Sequence, residues 1–144
     1  MKWPFMIRIE VRFRDLDAMG HVNNAVYLTY FETARSAYYR RLTGKKLKAL
    51  EEFDFILAEV TCSFRSSAYF GETLLVSLGV TEIGTRSFVF EYEVTEEDSN
   101  RLVATGRSVQ VMYDYAAKKT KPIPSELRGK MVELEGRPIA TKQS

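Results

Sequence analysis

The stretch R-D-L-D-A-M-G-H-V-N-N, residues 14–24, gathers Asp15, Asp17, the only histidine His21, Asn23 and Asn24 within a few positions. Immediately after it, Tyr27, Tyr30, Phe31, Ala34 and Tyr38 recur at i, i+3, i+4, i+7 and i+11, an aromatic helical stripe. The polar stretch therefore leads into a helix N-terminus, with unpaired N–H groups and the positive end of the dipole. Such an end can hold developing negative charge on a carbonyl oxygen without a side-chain donor. A carboxylate just ahead of it would face the carbonyl carbon. With a reference pKa near ~3.9 it is ionised at neutral pH and can act as a base toward water or as a nucleophile. Plainer roles stand beside these. Asp17 could be an exposed loop carboxylate or a cap, and Asp15 a tie to the loop or to a nearby arginine. Asn23 or Asn24 can cap the helix, Gly20 can supply a positive φ or a close backbone approach, and His21 can be a satisfied structural histidine.

The elements that position this stretch are legible from periodicity. In MIRIEVRFR, residues 6–14, Ile7, Ile9, Val11 and Phe13 alternate with charge, which predicts a strand with one buried face. The loop follows, then a helix over Ala25–Leu42 closed by Gly44, about 25 Å long. A short helical KKLKALEEF is expected next. Strands are expected over 55–64, 73–83, 85–96 and 101–114, joined by hairpin-like turns and so antiparallel. Phe88, Phe90, Tyr92 and Val94 predict one buried face, and Val103, Val109, Val111 and Tyr113 another. Ser125–Met131 predicts a terminal helix behind Pro122 and Pro124. One long helix cannot bury its stripe in a bundle. It must lie on the sheet, and a twisted antiparallel sheet can curl around it.

Composition narrows the function classes. The chain has 144 residues, 45% hydrophobic and 28% charged, which suits one soluble domain spanning residues 1–144. A net charge of +2 gives no reason to expect a nucleic-acid partner. A single histidine excludes any mechanism with two imidazoles, and the lone Cys62 excludes an intramolecular disulfide. There is no Cys/His cluster for zinc, no G-x-G-x-x-G and no phosphate-binding P-loop, so neither metal nor bound cofactor is expected. No apolar run approaches the roughly 20 residues of a membrane span, no secretory signal is visible, and a cytoplasmic location is the expectation.

From Asp15 to Arg35 the chain strongly resembles the hotdog-fold acyl-CoA thioesterases of the 4-hydroxybenzoyl-CoA thioesterase type. The likeness extends from about Ile7 to Arg128, through the strands to VMYD and KKTKPIPSELR. It implies an α+β hotdog fold, an antiparallel sheet of about five strands wrapped around one long helix. It also implies hydrolysis of acyl-CoA by a homodimer or homotetramer with the site between protomers. In that family the acid is the second Asp of D-x-D-x-x-G-[HIV], which is Asp17 here, and the carbonyl is held by the backbone near Asn24. H-V-N-N is also similar to plant acyl carrier protein thioesterases, which makes His21 and Asn23 further candidates. Asn23, Tyr27, Glu59, Arg86 and Ser87 are the expected substrate contacts, with Arg65, Arg86 and Lys118 as cations for CoA phosphates. Glu32 is the rival carboxylate, although with Arg35 at i+3 it most simply forms an ion pair. A non-catalytic acyl-CoA binding protein, an acyl carrier protein thioesterase and a hotdog dehydratase are the alternatives. The dehydratase is disfavoured because its chemistry usually needs a differently placed Asp–His pair.

Overall fold

The computed structural model describes residues 2–44 and 53–142. Apart from Phe53, the expected helical run over 45–53 lies outside the described residues. Strands β1 (Phe5–Glu10), β2 (Phe55–Phe64), β3 (Thr73–Ile83), β4 (Ser87–Glu96) and β5 (Leu102–Asp114) form an antiparallel sheet in the order β1-β3-β4-β5-β2. Two-residue strands extend it, β6 (Lys119–Thr120) against β5 and β7 (Ala140–Thr141) parallel to β3. The long helix α1 (Val26–Thr43) lies on one face, and α2 (Ser125–Glu135) packs beside it.

The aromatic stripe is core. Tyr27, Tyr30, Phe31, Ala34 and Tyr38 are all buried against Leu74, Val76, Leu78, Phe88, Phe90 and Tyr92. Phe31 stacks on Tyr92 with ring centroids 4.3 Å apart. It also lies over Gly106, where a Cβ would overlap the Phe31 ring. Glycine at 106 lets α1 sit close on β5. Gly44 closes the helix, its N–H donating to the Arg40 carbonyl at 2.9 Å.

Three expectations are corrected, two from strand alternation and one from helical spacing. First, β1 ends at Glu10 and Phe13 is 80% exposed, because Asp15 turns the chain into a short 3-10 segment over Phe13–Asp15. Second, the inward face of β5 is Ala104, Gly106, Ser108, Gln110 and Met112, while Val109, Val111 and Tyr113 face away. The cause is a register shift: Thr95 pairs with Leu102 but Val94 with Ala104, so Val103 is an extra residue and every side chain after it changes face. The inward polar groups satisfy one another. Ser108 bonds the Tyr92 hydroxyl and Gln110, and the Gln110 amide donates to the Phe88 carbonyl at 3.0 Å. Third, Glu32 and Arg35 do not pair. Arg35 turns inward, buried, with Nη1 donating to the Tyr92 hydroxyl at 3.3 Å, while Glu32 is exposed.

Candidate active site

The approach to α1 is a small hairpin. Leu16 bridges Val22, and the Asp17 N–H donates to the His21 carbonyl at 3.1 Å. The Gly20 N–H donates to the Asp17 carbonyl at 3.0 Å, and Gly20 takes φ +84°, which a side chain would disfavour. Asp17 Oδ1 accepts the Met19 N–H at 2.9 Å and lies 4.0 Å from His21 Nδ1. Both side chains are about a third exposed, at 30% and 34%. The hairpin is pinned sideways, Val22 N–H to the Ala68 carbonyl at 2.9 Å and His21 bridged to Tyr69.

Asp15 is the anchor of this hairpin. It is 2% exposed and accepts the Arg12 N–H at 2.9 Å, the Arg12 guanidinium at 2.8 Å and the Tyr30 hydroxyl at 2.9 Å. Burial pushes its pKa up, but these hydrogen bonds, led by the Arg12 guanidinium, outweigh it and hold the carboxyl below its ordinary value. A depressed carboxyl stabilises the fold above the unfolded-chain pKa and loses that contribution as pH falls through the folded one. Asp15→Asn is therefore expected to cost about 2 kcal/mol at pH 7, read as a drop in Tm of about 5–10 °C. The gap to the unmutated protein should narrow as pH falls below 3.8, the ordinary value. A gap independent of pH would mean that the charge does not contribute.

Just ahead of the α1 N-cap, Ala25, Asn23 forms an Asx turn. Its Oδ1 accepts the Ala25 N–H at 2.9 Å and its carbonyl the Val26 N–H at 2.9 Å. Tyr27 and Leu28 N–H reach the carbonyls of Asn24 and Ala25 at 3.4 and 3.3 Å. Among the described residues the Asn24 N–H has no acceptor. It adjoins an open cleft of about 220 Å³ lined by His21, Val22, Asn24 and Tyr27 on one side and Phe64, Arg65, Ser66 and Ser67 on the other. Burial pushes the Tyr27 hydroxyl up to about 12, so it stays protonated.

The structure thus gathers His21, Asn24 and Tyr27 at one cleft, with Asp17 beside it through His21. Asn23 is committed to the helix start. Glu59 stands on the opposite face of the sheet, exposed, 3.7 Å from Arg107. Arg86 and Ser87 lie beside Val111 and Met112, about 23 Å along β5 from Ala104, the residue that pairs with Phe64. Lys118 sits in the turn before β6. Of the 64–67 wall only Arg65 was expected from the sequence; Phe64, Ser66 and Ser67 were hidden because they come from a separate strand end. The wall's one signal was the polar R-S-S run after β2, held in place by Arg101, which donates to Ser66 Oγ at 3.2 Å and to the Ser67 carbonyl at 2.9 Å.

Among the described residues no group of His, Cys, Asp and Glu could hold a metal, and no helix is long and apolar enough to cross a membrane. A model of the Thioesterase-like superfamily matches residues 11–131. The chain belongs to that superfamily. Its fold is the hotdog fold. A crystal structure of a thioesterase from Thermus thermophilus, complexed with coenzyme A and zinc, matches with a TM-score of 0.85 at 34% identity, covering 96% of this chain and 98% of that one. Acyl-CoA thioesterase YbgC of Haemophilus influenzae is 28% identical over 134 residues, 91% of this chain and 96% of that protein. Long-chain acyl-CoA thioesterase FadM of Escherichia coli K12 is 24% identical over 127 residues, 88% and 96% respectively. Relatives that match this superfamily member over most of its length thus include acyl-CoA thioesterases.

Proposed function

We propose that this chain hydrolyses acyl-CoA thioesters to a carboxylic acid and CoA, with Asp17 as the attacking or activating carboxylate. The observation that carries the reading is the Asn24 N–H, without an acceptor among the described residues, on a residue that lines a cleft beside the Asp17–His21 hairpin. The thioester oxygen sits against that N–H, where the positive end of α1 stabilises the oxyanion as it forms. Asp17 either takes a proton from the water that attacks carbon, or attacks carbon itself to give an anhydride that water then opens. In both routes the C–S bond breaks and CoA leaves as a thiolate that is then protonated, so no strong general acid is required. His21, 4.0 Å from Asp17, orients the carboxylate.

Arg65 in the cleft is the nearest cation for the nucleotide phosphates. Arg86 and Ser87 lie about 23 Å along β5 from the cleft within one chain, and we place them against the same substrate from a second protomer. The ten-residue strand β2 is an edge of the sheet, which supports a homodimer joined edge to edge, and dimers of dimers are the natural extension. Arg86→Ala should raise KM for acyl-CoA several-fold more than KM for a short thioester lacking the nucleotide. The difference should shrink at high salt. Light scattering on the same sample should give a dimer or larger. An active monomer, or equal losses on both substrates, would refute this placement.

Thiol release from a panel of acyl-CoA and acyl carrier protein thioesters, followed with a chromogenic thiol reagent, tests the activity itself. Turnover of acyl-CoA is expected, in the cytoplasm of the cell. Tight binding of acyl-CoA with no thiol released would establish a binding protein instead.

A further inference from the structure

Arg35 is 6% exposed, and its guanidinium donates to the hydroxyl of Tyr92. The groups beyond Tyr92, namely Ser108, Gln110 and the Phe88 carbonyl, are all neutral. Among the described residues no carboxylate forms a salt bridge with Arg35. A guanidinium has five N–H donors and does not give up its charge, and burying that charge without a counter-ion is costly. One side of Arg35 opens to a second cleft, about 270 Å³, lined by Glu32, Arg35, Ser36, Phe53, Phe55 and Tyr115. Three of those walls are aromatic. Glu32 in that lining is exposed, where water screens its charge.

This second cleft is not isolated from the first. Each has one wall from α1 and one from β2. Between them, Leu57 and Phe64 of β2 face the helix side yet are 42% and 47% exposed, and Leu28 of α1 is 40% exposed. Helix α1 sits on the sheet through Phe31, and along β2 the partly buried Val60 and Cys62 pack on the core between these exposed residues, with Tyr27 against Phe64 at one end and Tyr39 against Phe55 at the other, so Leu28, Leu57 and Phe64 leave a shallow groove floored by apolar side chains. From Val26 to Arg35 the helix rises about 14 Å, comparable with an extended acyl group of medium length.

We propose that an acyl group whose carbonyl sits at the Asn24 N–H runs along this groove, and that Arg35 binds a carboxylate on its far end. The preferred substrates are then acyl-CoAs whose acyl chain ends in an acid. The planar fork of Arg35 suits a carboxylate, and the exposed Leu28, Leu57 and Phe64 along the groove suit the hydrocarbon that carries it. This inference rests on the hydrolase reading above, so its test has an arm that needs no hydrolysis.

In the first arm, calorimetry compares a free α,ω-dicarboxylate with the monocarboxylate of equal length on the unmutated protein, Arg35→Met and Arg35→Lys. The dicarboxylate should bind at least about tenfold tighter to the unmutated protein. Arg35→Met should abolish that gap and Arg35→Lys should retain part of it. In the second arm, the ratio of kcat/KM for carboxylate-ended over methyl-ended acyl-CoA should exceed one and fall at least about tenfold in Arg35→Met. Equal binding of the two acids to the unmutated protein, or a gap that persists in Arg35→Met, would overturn the proposal. Should Arg35→Met not fold, the unmutated protein and Arg35→Lys decide it. A dicarboxylate preference without thiol release would defeat the hydrolase reading and leave the Arg35 site standing. Thiol release without that preference would do the reverse.

Discussion

Asp17→Asn is expected to lower kcat by about 10²–10⁴-fold, and further if the carboxylate is itself the nucleophile. Asparagine keeps the volume of aspartate, and its side-chain oxygen can still accept the Met19 N–H that Asp17 accepts at 2.9 Å, so the turn before Gly20 persists. What is lost is the charge that draws a proton from water or attacks carbon. KM should move by less than about threefold, because the carbonyl is held by the Asn24 N–H and the helix start, which the substitution does not touch. Steady-state kinetics on one good acyl-CoA measures both parameters. Two companions sharpen the reading. Glu32→Gln tests the rival carboxylate, which is exposed and lines the Arg35 cleft rather than the His21 cleft. Asp15→Asn removes the buried anchor of the same hairpin and should lower thermal stability first. Near-normal kcat in Asp17→Asn together with an inactive Glu32→Gln would move the chemistry to the helix.

Phe31→Ala is expected to destabilise the fold by about 3–5 kcal/mol, a large part of the roughly 5–15 kcal/mol that holds a typical domain folded. Phe31 is fully buried, stacked on Tyr92 at 4.3 Å and seated over Gly106. Removing the ring leaves a cavity where α1 meets β4 and β5, and the flanking polar network around Ser108 resists collapse. Gly106→Ala alone is expected to destabilise by about 1–3 kcal/mol, since its Cβ would collide with the Phe31 ring. In the Phe31→Ala background that clash is gone, and the added methyl fills part of the cavity. The double variant should therefore be more stable than the two single losses add up to, by at least about 1 kcal/mol. Denaturant unfolding of the four proteins gives the coupling directly. Strict additivity would mean that residues 31 and 106 do not share the contact.

Some of this protein follows from local pattern alone. The 3.6-residue recurrence from Tyr27 to Tyr38 specifies a helix with one aromatic face because side chains at those positions stack on one side of any α-helix. Period two does the same for the strands, and the expected 55–64 and 73–83 coincide with β2 and β3. The polar loop from Asp15 to Asn24 is legible as a site because its Asp, Gly, His and Asn residues sit together in the chain and lead directly into a helix start. Everything that depends on one element meeting another was decided elsewhere. Val109 and Val111 read as core by type, but the extra residue at Val103 turned them outward and brought Ser108 and Gln110 in, where Tyr92 and the Phe88 carbonyl satisfy them. Arg35 reads as a surface partner of Glu32, but the close seat of Phe31 on Gly106 sets the helix so that Arg35 points at Tyr92. Phe64 and Arg65 join His21 and Asn24 only because β2 ends beside the start of α1, while Arg86 ends at the far side of the sheet. Periodicity reports which face of an element a residue takes, a property of a few neighbouring dihedrals. Register, bulges and the approach of helix to sheet depend on contacts between residues far apart in the chain, which no local pattern contains.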